Sequence, residues 1–311
     1  MTPGLPPGVI VITGPTASGK GTLAFELARR LDGEIISLDS MKVYRELDIG
    51  TAKPSPERRA QVRYHLIDIL EPHESFSTGE YLPLLARAIE DVAARGKLPI
   101  VAGGTALYLK GFLCGLQAGP RADWEIRNRL LEEARGSGPE PMHARLQALD
   151  PGAAAKIHPR DTRRIVRALE VLESTGRPIS KDWAWGAAPV PPAGLRVFGL
   201  EWDRAELHAR IHVRLENMAR AGLFEEAERL RLRSPPLSRS AAQTIGYKEI
   251  WEGFDKKLSR DEILEALRQR TRRFAKSQLT WFRKMPIEWL AMGGDPGAGD
   301  LVDQLVERLG R

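Results

Sequence analysis

The sequence contains one cysteine, Cys114, which excludes a disulfide framework and any metal site built from several cysteines. Its six histidines lack the spacing of metal ligands, so we expect no structural metal. No apolar run approaches the ~18 residues that cross a bilayer, and the first residues lack the charged and apolar regions of a secretory signal. These absences predict a cytoplasmic protein without a membrane partner.

The composition is that of an ordinary globular protein, with 42% hydrophobic and 28% charged residues, which excludes wholesale disorder. The 311 residues suggest two domains, or one large domain that carries an insertion. No helical dimer interface is visible, and we expect a monomer. The net charge of +6 favours an anionic partner without identifying it.

Strands and helices alternate in the first third of the chain, which predicts a parallel α/β sheet. The strand patterns are at residues 9–13, 34–38, 65–70 and 98–102, and the helical patterns are at residues 22–31 and 84–94. Ligands of parallel sheets bind beyond the carboxyl ends of the strands. Gly14, Asp39 and Thr105 follow three such ends, so we expect them to converge.

A helical region then interrupts this pattern. Residues 124–175 show helices without a strand, between linker-like residues 117–123 and proline-rich residues 183–194. The later patterns are a strand at residues 195–200, helices at residues 204–222, 224–232 and 262–283, and a loop with a terminal helix after residue 293. We therefore predict an α/β core of residues 1–116 and 195–311 with an all-helical insertion domain of residues 117–194.

The sequence GPTASGKGT at residues 14–22 lies between the first strand and the first helix, as a phosphate-binding loop requires. Glycines let backbone N–H groups surround phosphate oxygens, and the helix N-terminus and Lys20 add positive charge. A P-loop NTPase-like core is therefore predicted, although a glycine-rich turn can also form without a ligand. The loop would hold ATP or pyrophosphate equally well. Gly21 occupies the Ser/Thr position of the usual GxxxxGKS/T motif, so Thr22 is the candidate metal ligand.

Several further segments resemble, in order and over nearly the whole chain, those of the tRNA dimethylallyltransferase (isopentenyl-tRNA transferase) family. They are SLDSMKVYRELDIGTAKP at residues 37–54, HLID at 65–68, FSTGEY at 76–81, GGTALY at 103–108, HP at 158–159, RALE at 167–170, QTIGYK at 243–248 and KSQLTWFR at 276–283. Two residues depart from the family pattern. Gly21 replaces Thr or Ser, and Lys42 stands where many members have glutamine.

The resemblance implies transfer of the dimethylallyl group of dimethylallyl pyrophosphate to N6 of adenosine 37, next to the anticodon, with release of pyrophosphate. It implies two partners, this donor and the tRNA anticodon stem-loop, and Mg²⁺ on the pyrophosphate. Arg127 matches a family position that reaches the pyrophosphate, and is otherwise a solvated helix charge. The predicted pyrophosphate ligands are Gly14, Thr16, Ala17, Ser18, Gly19, Lys20, Gly21, Thr22 and Arg127.

Two residues at strand ends are candidates for catalysis. The Asp39 carboxylate can accept the N6 proton as the C–N bond forms, whereas in a generic phosphate-loop enzyme it would lie near magnesium. Thr105 can bond the substrate, or cap the helix that follows it. The family match favours the catalytic role for both residues.

An RNA partner requires basic surfaces, because phosphate contacts supply much of the affinity. Residues 268–284 hold seven Lys/Arg and no Asp/Glu, although such a run is often only a solvated face. Arg268, Arg272 and Lys276 recur there at helical spacing, and we expect Phe274 in the core. The predicted tRNA contacts, which include a second basic cluster and a polar loop, are Asp39, Ser40, Met41, Lys42, Arg163, Arg164, Arg167, Gln243, Thr244, Gly246, Tyr247, Lys248, Arg272, Lys276, Gln278, Thr280, Trp281 and Arg283.

Two other functions are compatible with the residues alone. A phosphate-loop kinase of a nucleotide or small molecule fits the GKGT sequence, but it leaves residues 37–54 and the two basic clusters unexplained. An RNA-binding protein that uses a nucleotide only as a switch would bind RNA without modifying it.

Overall fold

The structure is a computed structural model that describes residues 8–114, 119–182, 194–293 and 298–310. The chain divides into two compact units, residues 1–113 with 189–311 and residues 114–188. The predicted boundary at residues 116–117 and residues 183–193 of the predicted return linker lie outside the described residues. Among the described helices, none is both long and apolar enough to cross a membrane.

The larger unit is built on one sheet of parallel strands, which confirms the predicted α/β class. Its strands are β1 Ile10–Thr13, β2 Gly33–Ser37, β3 Tyr64–His65, β4 Leu98–Ala102, β5 Arg196–Trp202 and β6 Glu288–Met292. They are ordered β3-β2-β4-β1-β5-β6. Strand β1 is therefore central, and all four of its residues are buried.

Helices cover both faces of the sheet and also form the smaller unit. In chain order they are α1 Lys20–Arg30, α2 Pro56–Gln61, α3 Thr78–Ala94, α4 Ala106–Cys114, α5 Trp124–Ser137, α6 Pro139–Leu149, α7 Pro151–Ala154, α8 Thr162–Thr175, α9 Arg204–Arg220, α10 Leu223–Arg231, α11 Tyr247–Asp255, α12 Arg260–Phe282 and α13 Ala298–Arg308. Helices α5–α8 make up the smaller unit, where no strand is described, and enclose a core of their own.

The side chains along residues 9–12 alternate between the two faces of the sheet, and each face packs against a different set of helices. Ile10 and Ile12 pack in a cluster with residues of α1 and α13, whereas Val9 and Val11 pack with residues of α3 and α4. A third cluster joins α9, α10, α11 and α12 to residues 43–47. The segment that follows β2 is thereby tied to the helices of the second half of the chain.

Several predicted elements differ from the observed ones. The strand predicted at residues 65–70 is wrong in extent, because Leu66 and Asp68 take positive φ angles of 58° and 54° and end β3 after His65. Helix α3 begins six residues before its predicted start because Ser77 and Glu80 form a capping box. Strand β6 and helix α11 were not predicted, and β6 is a half-exposed edge strand whose alternation is short.

Candidate active site

Three loops meet at the carboxyl edge of the sheet, as expected for Gly14, Asp39 and Thr105. The loop after β4 binds the end of β2, since the Thr105 N–H donates to the Leu38 carbonyl (3.2 Å) and the Ser40 N–H donates to Thr105 Oγ1 (3.0 Å). A Cβ atom on Gly103 would lie 2.0 Å from the Leu38 carbonyl oxygen. This approach therefore requires glycine, and it places Asp39 and Thr105 side by side.

The phosphate loop is strongly curved between β1 and α1. Gly14 and Gly19 have φ angles of 147° and 90°, and Ala17 adopts the left-handed conformation with a φ of 63°. Helix α1 begins at Lys20, directly after the loop. The Ser18 hydroxyl is buried and has no hydrogen-bond partner among the described residues. A curved loop with an unpartnered hydroxyl at a helix N-terminus suits a phosphate group.

Side chains from distant elements bind the outer side of this loop. Trp202 at the end of β5 donates its indole N–H to the Ser18 carbonyl (2.9 Å), and Arg210 Nε of α9 donates to the Ala17 carbonyl (3.0 Å). The Arg210 guanidinium also stacks 4.1 Å above the Trp202 ring. These bonds hold two consecutive loop carbonyls outward and stabilise the left-handed Ala17.

Positive charge accumulates beside the loop. Desolvation and the nearby charges of Arg214 and Lys42 lower the pKa of Lys20 to about 7. Desolvation likewise lowers the pKa values of Lys42 and Arg214, and only the Asp39 carboxylate opposes all three shifts. Three basic side chains around one carboxylate favour a bound polyanion, which would stabilise their charged forms.

Asp39 is held by its own segment. Its Oδ1 accepts hydrogen bonds from the backbone N–H groups of Met41 (2.9 Å) and Lys42 (3.3 Å). This turn fixes the orientation of the carboxylate at the end of β2. Because both donors bind Oδ1, Oδ2 is the oxygen that can serve a substrate.

A cavity of ≈ 1530 Å³ opens beside the phosphate loop, between α9 and the segment that follows Asp39. The loop contributes Ala17 and Gly19 to its wall. Its apolar wall includes Ile49, Val213 and Met218. The wall thus combines the phosphate loop with these apolar side chains and with charged ones, among them Arg59 and Arg214.

The sequence profile of the family described as IPP transferase matches residues 42–285. The chain is 45% identical over 287 residues to a tRNA dimethylallyltransferase of Geobacillus kaustophilus, covering 91% of this chain and 90% of the relative. The chain belongs to the IPP transferase family.

Solved structures agree with this assignment. The chain is similar to the full-length tRNA isopentenylpyrophosphate transferase of Bacillus halodurans, with a TM-score of 0.70, 37% identity and coverage of 98% of this chain and 97% of that one. A eukaryotic dimethylallyltransferase, described as acting on tRNA, gives a TM-score of 0.75 at 26% identity, with coverage of 97% of this chain and 80% of that one. The similarity therefore spans both compact units of the chain.

Within the helical unit, a buried carboxylate binds two of the predicted site residues. Glu170 accepts from Arg127 Nε (2.6 Å) and from Arg167 Nη1 (2.7 Å), and Arg167 Nη2 donates to the Pro120 carbonyl (2.6 Å). Arg167 is therefore part of the internal structure of its unit. Arg163 and Arg164 are exposed, as a surface for tRNA requires.

Helix α12 differs from the predicted basic stripe. Arg268 is neutralised by Glu216 and Glu265, so the stripe is reduced to Arg272 and Lys276. The prediction that Phe274 lies in the core is wrong, because its ring projects from the outer face of the helix and is 41% exposed. The other predicted residues of this segment are Thr280 and Arg283, which are exposed, and Trp281, which packs partly against the core.

Three residues predicted to contact tRNA have side chains inside the protein. The Thr244 hydroxyl donates to the Ala241 carbonyl (2.7 Å), and the Tyr247 hydroxyl donates to Glu226 (2.6 Å). The Gln278 amide is also buried and bonded on both sides. These three side chains are buried, and not at the surface as predicted, because their segments pack against the phosphate loop and the residues after Asp39. Of their neighbours, Gln243 and Lys248 are exposed, and Gly246 is buried where α11 begins.

Sequence reasoning missed a second set of site-supporting residues. Glu226 of α10 accepts from the consecutive N–H groups of Asp48, Ile49 and Gly50 at 2.9–3.1 Å. Lys53 donates to Asp48 Oδ1 (2.8 Å) and to Asp68 Oδ1 (2.5 Å). Asp48, Lys53 and Asp68 lie in the DIGTAKP and HLID segments that resemble the family, whereas no sequence pattern singles out Glu226.

Proposed function

We propose that this chain transfers the dimethylallyl group of dimethylallyl pyrophosphate to N6 of adenosine 37 in tRNA and releases pyrophosphate. The observation that carries the proposal is the meeting of a phosphate loop and Asp39 at one edge of the sheet. Membership of the IPP transferase family and relatives named tRNA dimethylallyltransferase support it over a small-molecule kinase. A kinase also has no need for the exposed arginines of the helical unit.

The donor would bind with its pyrophosphate on the phosphate loop. The N–H groups of Ala17 and of residues 19–21, the Ser18 hydroxyl and the Lys20 and Arg214 charges would hold its oxygens, whereas the Thr16 N–H is bonded to Gln278 Oε1. The hydrocarbon would lie against Ile49 and Val213 in the cavity. As the allylic C–O bond breaks, negative charge grows on the leaving pyrophosphate, and these preorganised groups stabilise it more than the ground state. Arg127 of the helical unit is a further proposed pyrophosphate ligand.

The acceptor adenine would present its N6 amine to Asp39. An adenine amine is weakly basic, so removal of its proton as the C–N bond forms aids the transfer. The proton passes to Asp39 Oδ2, while Oδ1 keeps its backbone bonds. Thr105 would position the amine. The base must leave its stack to reach this site, which costs a few kcal/mol and is cheaper in an anticodon loop.

Mg²⁺ would be held mainly by pyrophosphate oxygens and water, with Thr22 as its protein ligand. The described residues contain no cluster of three or more histidine, cysteine or acidic side chains that could hold a metal ion. Mg²⁺ commonly keeps several waters and binds through substrate phosphates, so this sparse donor set fits it. When bound, the ion would supply charge neutralisation on the leaving group.

The tRNA would be held by exposed and half-buried residues of each unit. In the helical unit these are Arg163 and Arg164. In the larger unit we propose Gln243, Lys248, Arg272, Lys276, Thr280, Trp281 and Arg283, with Ser40, Met41 and Lys42 close to the flipped base. Backbone phosphates would supply most of the affinity, and the flipped base would be read in the pocket.

The test is incubation of the protein with dimethylallyl pyrophosphate, Mg²⁺ and unmodified tRNA that has adenosine at position 37. Mass spectrometry of the nucleosides should show one five-carbon addition on that adenosine. A tRNA with guanosine 37 and the Asp39→Asn variant serve as controls, and the variant should still bind tRNA. Tight tRNA binding by the wild type without a mass gain would contradict the proposed reaction.

A further inference from the structure

Gln278 of α12 joins two loops of the site through one side chain. Its Oε1 accepts from the Thr16 N–H of the phosphate loop (2.8 Å), and its Nε2 donates to the Gly104 carbonyl (2.7 Å), next to Thr105. The residue is 6% exposed. The bonds span 262 and 174 positions of the sequence, so this amide links parts of the chain that are otherwise far apart.

An amide is the side chain that this position needs. It offers an acceptor and a donor at its two ends, which matches one N–H and one carbonyl. A glutamate keeps the acceptor for Thr16 but has no proton for the Gly104 carbonyl, and it adds a buried charge. A methionine has similar size and makes neither bond.

Packing around the amide is tight. A Cβ atom on Gly104 would lie 2.7 Å from Gln278 Nε2 and 3.3 Å from Lys20 Nζ. Glycine at position 104 therefore lets the amide and the Lys20 ammonium lie against the same backbone segment. Both polar ends of Gln278 are used inside the protein, so neither is left to read an RNA base.

We propose that Gln278 is a positioning residue that fixes the phosphate loop relative to the loop that carries Thr105. It acts on the donor site and does not contact tRNA. The inference rests on the proposed function only in assigning the phosphate loop to the donor pyrophosphate. Loss of the amide lets the two loops shift independently, and the preorganisation of the pyrophosphate site is lost with it.

The first experiment measures pyrophosphate binding by calorimetry and tRNA binding by filter retention, both without chemistry. Gln278→Met should weaken pyrophosphate binding about 10-fold, because one buried N–H and one carbonyl lose their partners. Gln278→Glu should weaken it further, since the added charge repels the anion. The affinity for tRNA should change less than about twofold in both variants. Gln269→Met, an exposed position of the same helix, is the matched control and should change neither.

Two results of this experiment would overturn the inference. One is a loss of tRNA affinity with unchanged pyrophosphate binding, which would make Gln278 a tRNA contact. The other is a fall in melting temperature with both affinities intact, which would make it a packing residue only. A wild type that binds pyrophosphate but modifies no tRNA would contradict the proposed function and leave this test valid.

A double-mutant cycle provides the second experiment. Gly104→Ala should displace the amide and weaken pyrophosphate binding, partly through Lys20. If Gln278 acts through Gly104, adding Gln278→Met to Gly104→Ala should cost less than about twofold more, because the bond is already broken. Fully additive losses in the double variant would show that the two residues act separately and would contradict the coupling.

Discussion

The phosphate loop and the segment of residues 39–54 lie at the same edge of the sheet but are held by different chemistry. The phosphate loop is fixed mainly by neutral hydrogen bonds, from the Gln278 amide and the Trp202 indole, with one guanidinium beside them. The segment of residues 39–54 is fixed by charges, from Glu226 and from Lys53 with its two aspartates. The proposed anion site thus has few fixed charges in its supports, whereas the proposed proton-transfer site is supported by ion pairs.

This difference has a physical reason. A phosphate loop must direct its own N–H groups at the ligand, and extra carboxylates near it would oppose the anion. The backbone N–H groups of residues 48–50 have no proposed ligand, so the buried Glu226 carboxylate can accept from them at no such cost. Changes to the side chains that hold the phosphate loop should therefore weaken pyrophosphate binding, whereas changes to those that hold residues 39–54 should lower the free energy of unfolding.

The largest effect is expected from Lys20→Met, which removes the charge that the phosphate loop presents to its ligand. Loss of a preorganised electrostatic group should lower kcat/KM by about 10²–10³-fold. Calorimetry gives a second readout. Since the pKa of Lys20 is about 7, the free side chain is largely neutral at pH 8, and pyrophosphate binding should draw a proton onto it. This proton uptake, seen as a buffer-dependent enthalpy, should vanish in Lys20→Met and persist in the control Lys97→Met, whose half-exposed side chain pairs with Asp32.

Glu226→Gln breaks the charged support. The carboxylate accepts from three backbone N–H groups and the Tyr247 hydroxyl, and an amide oxygen cannot replace both of its oxygens. We expect the free energy of unfolding to fall by about 2–4 kcal/mol in chemical denaturation. Glu225→Gln, at the exposed neighbouring position, should cost less than about 1 kcal/mol. Equal losses in the two variants would contradict a special role for the buried carboxylate.

Trp202→Phe tests one of the neutral hydrogen bonds that hold the phosphate loop. The variant keeps the aromatic ring under Arg210 but loses the bond to the Ser18 carbonyl. A loss of about 1 kcal/mol corresponds to roughly fivefold weaker pyrophosphate binding, measured by calorimetry. Trp251→Phe is the matched control, because the Trp251 indole also donates to a carbonyl, that of Ala227, away from the phosphate loop. Weaker pyrophosphate binding in both variants would point to general destabilisation.

The sequence predicted those parts of the site that local patterns mark, and it missed those that depend on contacts between distant residues. The phosphate loop, the strand ends and most helices are marked by local patterns, and Asp39 and Thr105 stand where their strands end. The β3 error arose because no local pattern marks the positive φ angles of Leu66 and Asp68 or the bonds of the Asp68 carboxylate to Lys53 and Arg59. Gln278 and Glu226 bind residues more than 170 positions away, so only the folded chain reveals their partners.

The smallest effect is expected at Arg272, on the helix that also brings Gln278 to the phosphate loop. If Arg272 contacts a tRNA phosphate, Arg272→Ala should weaken tRNA binding a few-fold and reduce the slope of log affinity against log salt by about 1. Pyrophosphate binding should not change, because Arg272 lies six positions before Gln278, whose amide supports the loop. Arg268→Ala is the control, since Glu216 and Glu265 already neutralise that charge and its loss should leave the slope unchanged. An unchanged slope for both variants would place this face of α12 away from the RNA, and a changed pyrophosphate affinity would show that the helix transmits the substitution to the phosphate loop.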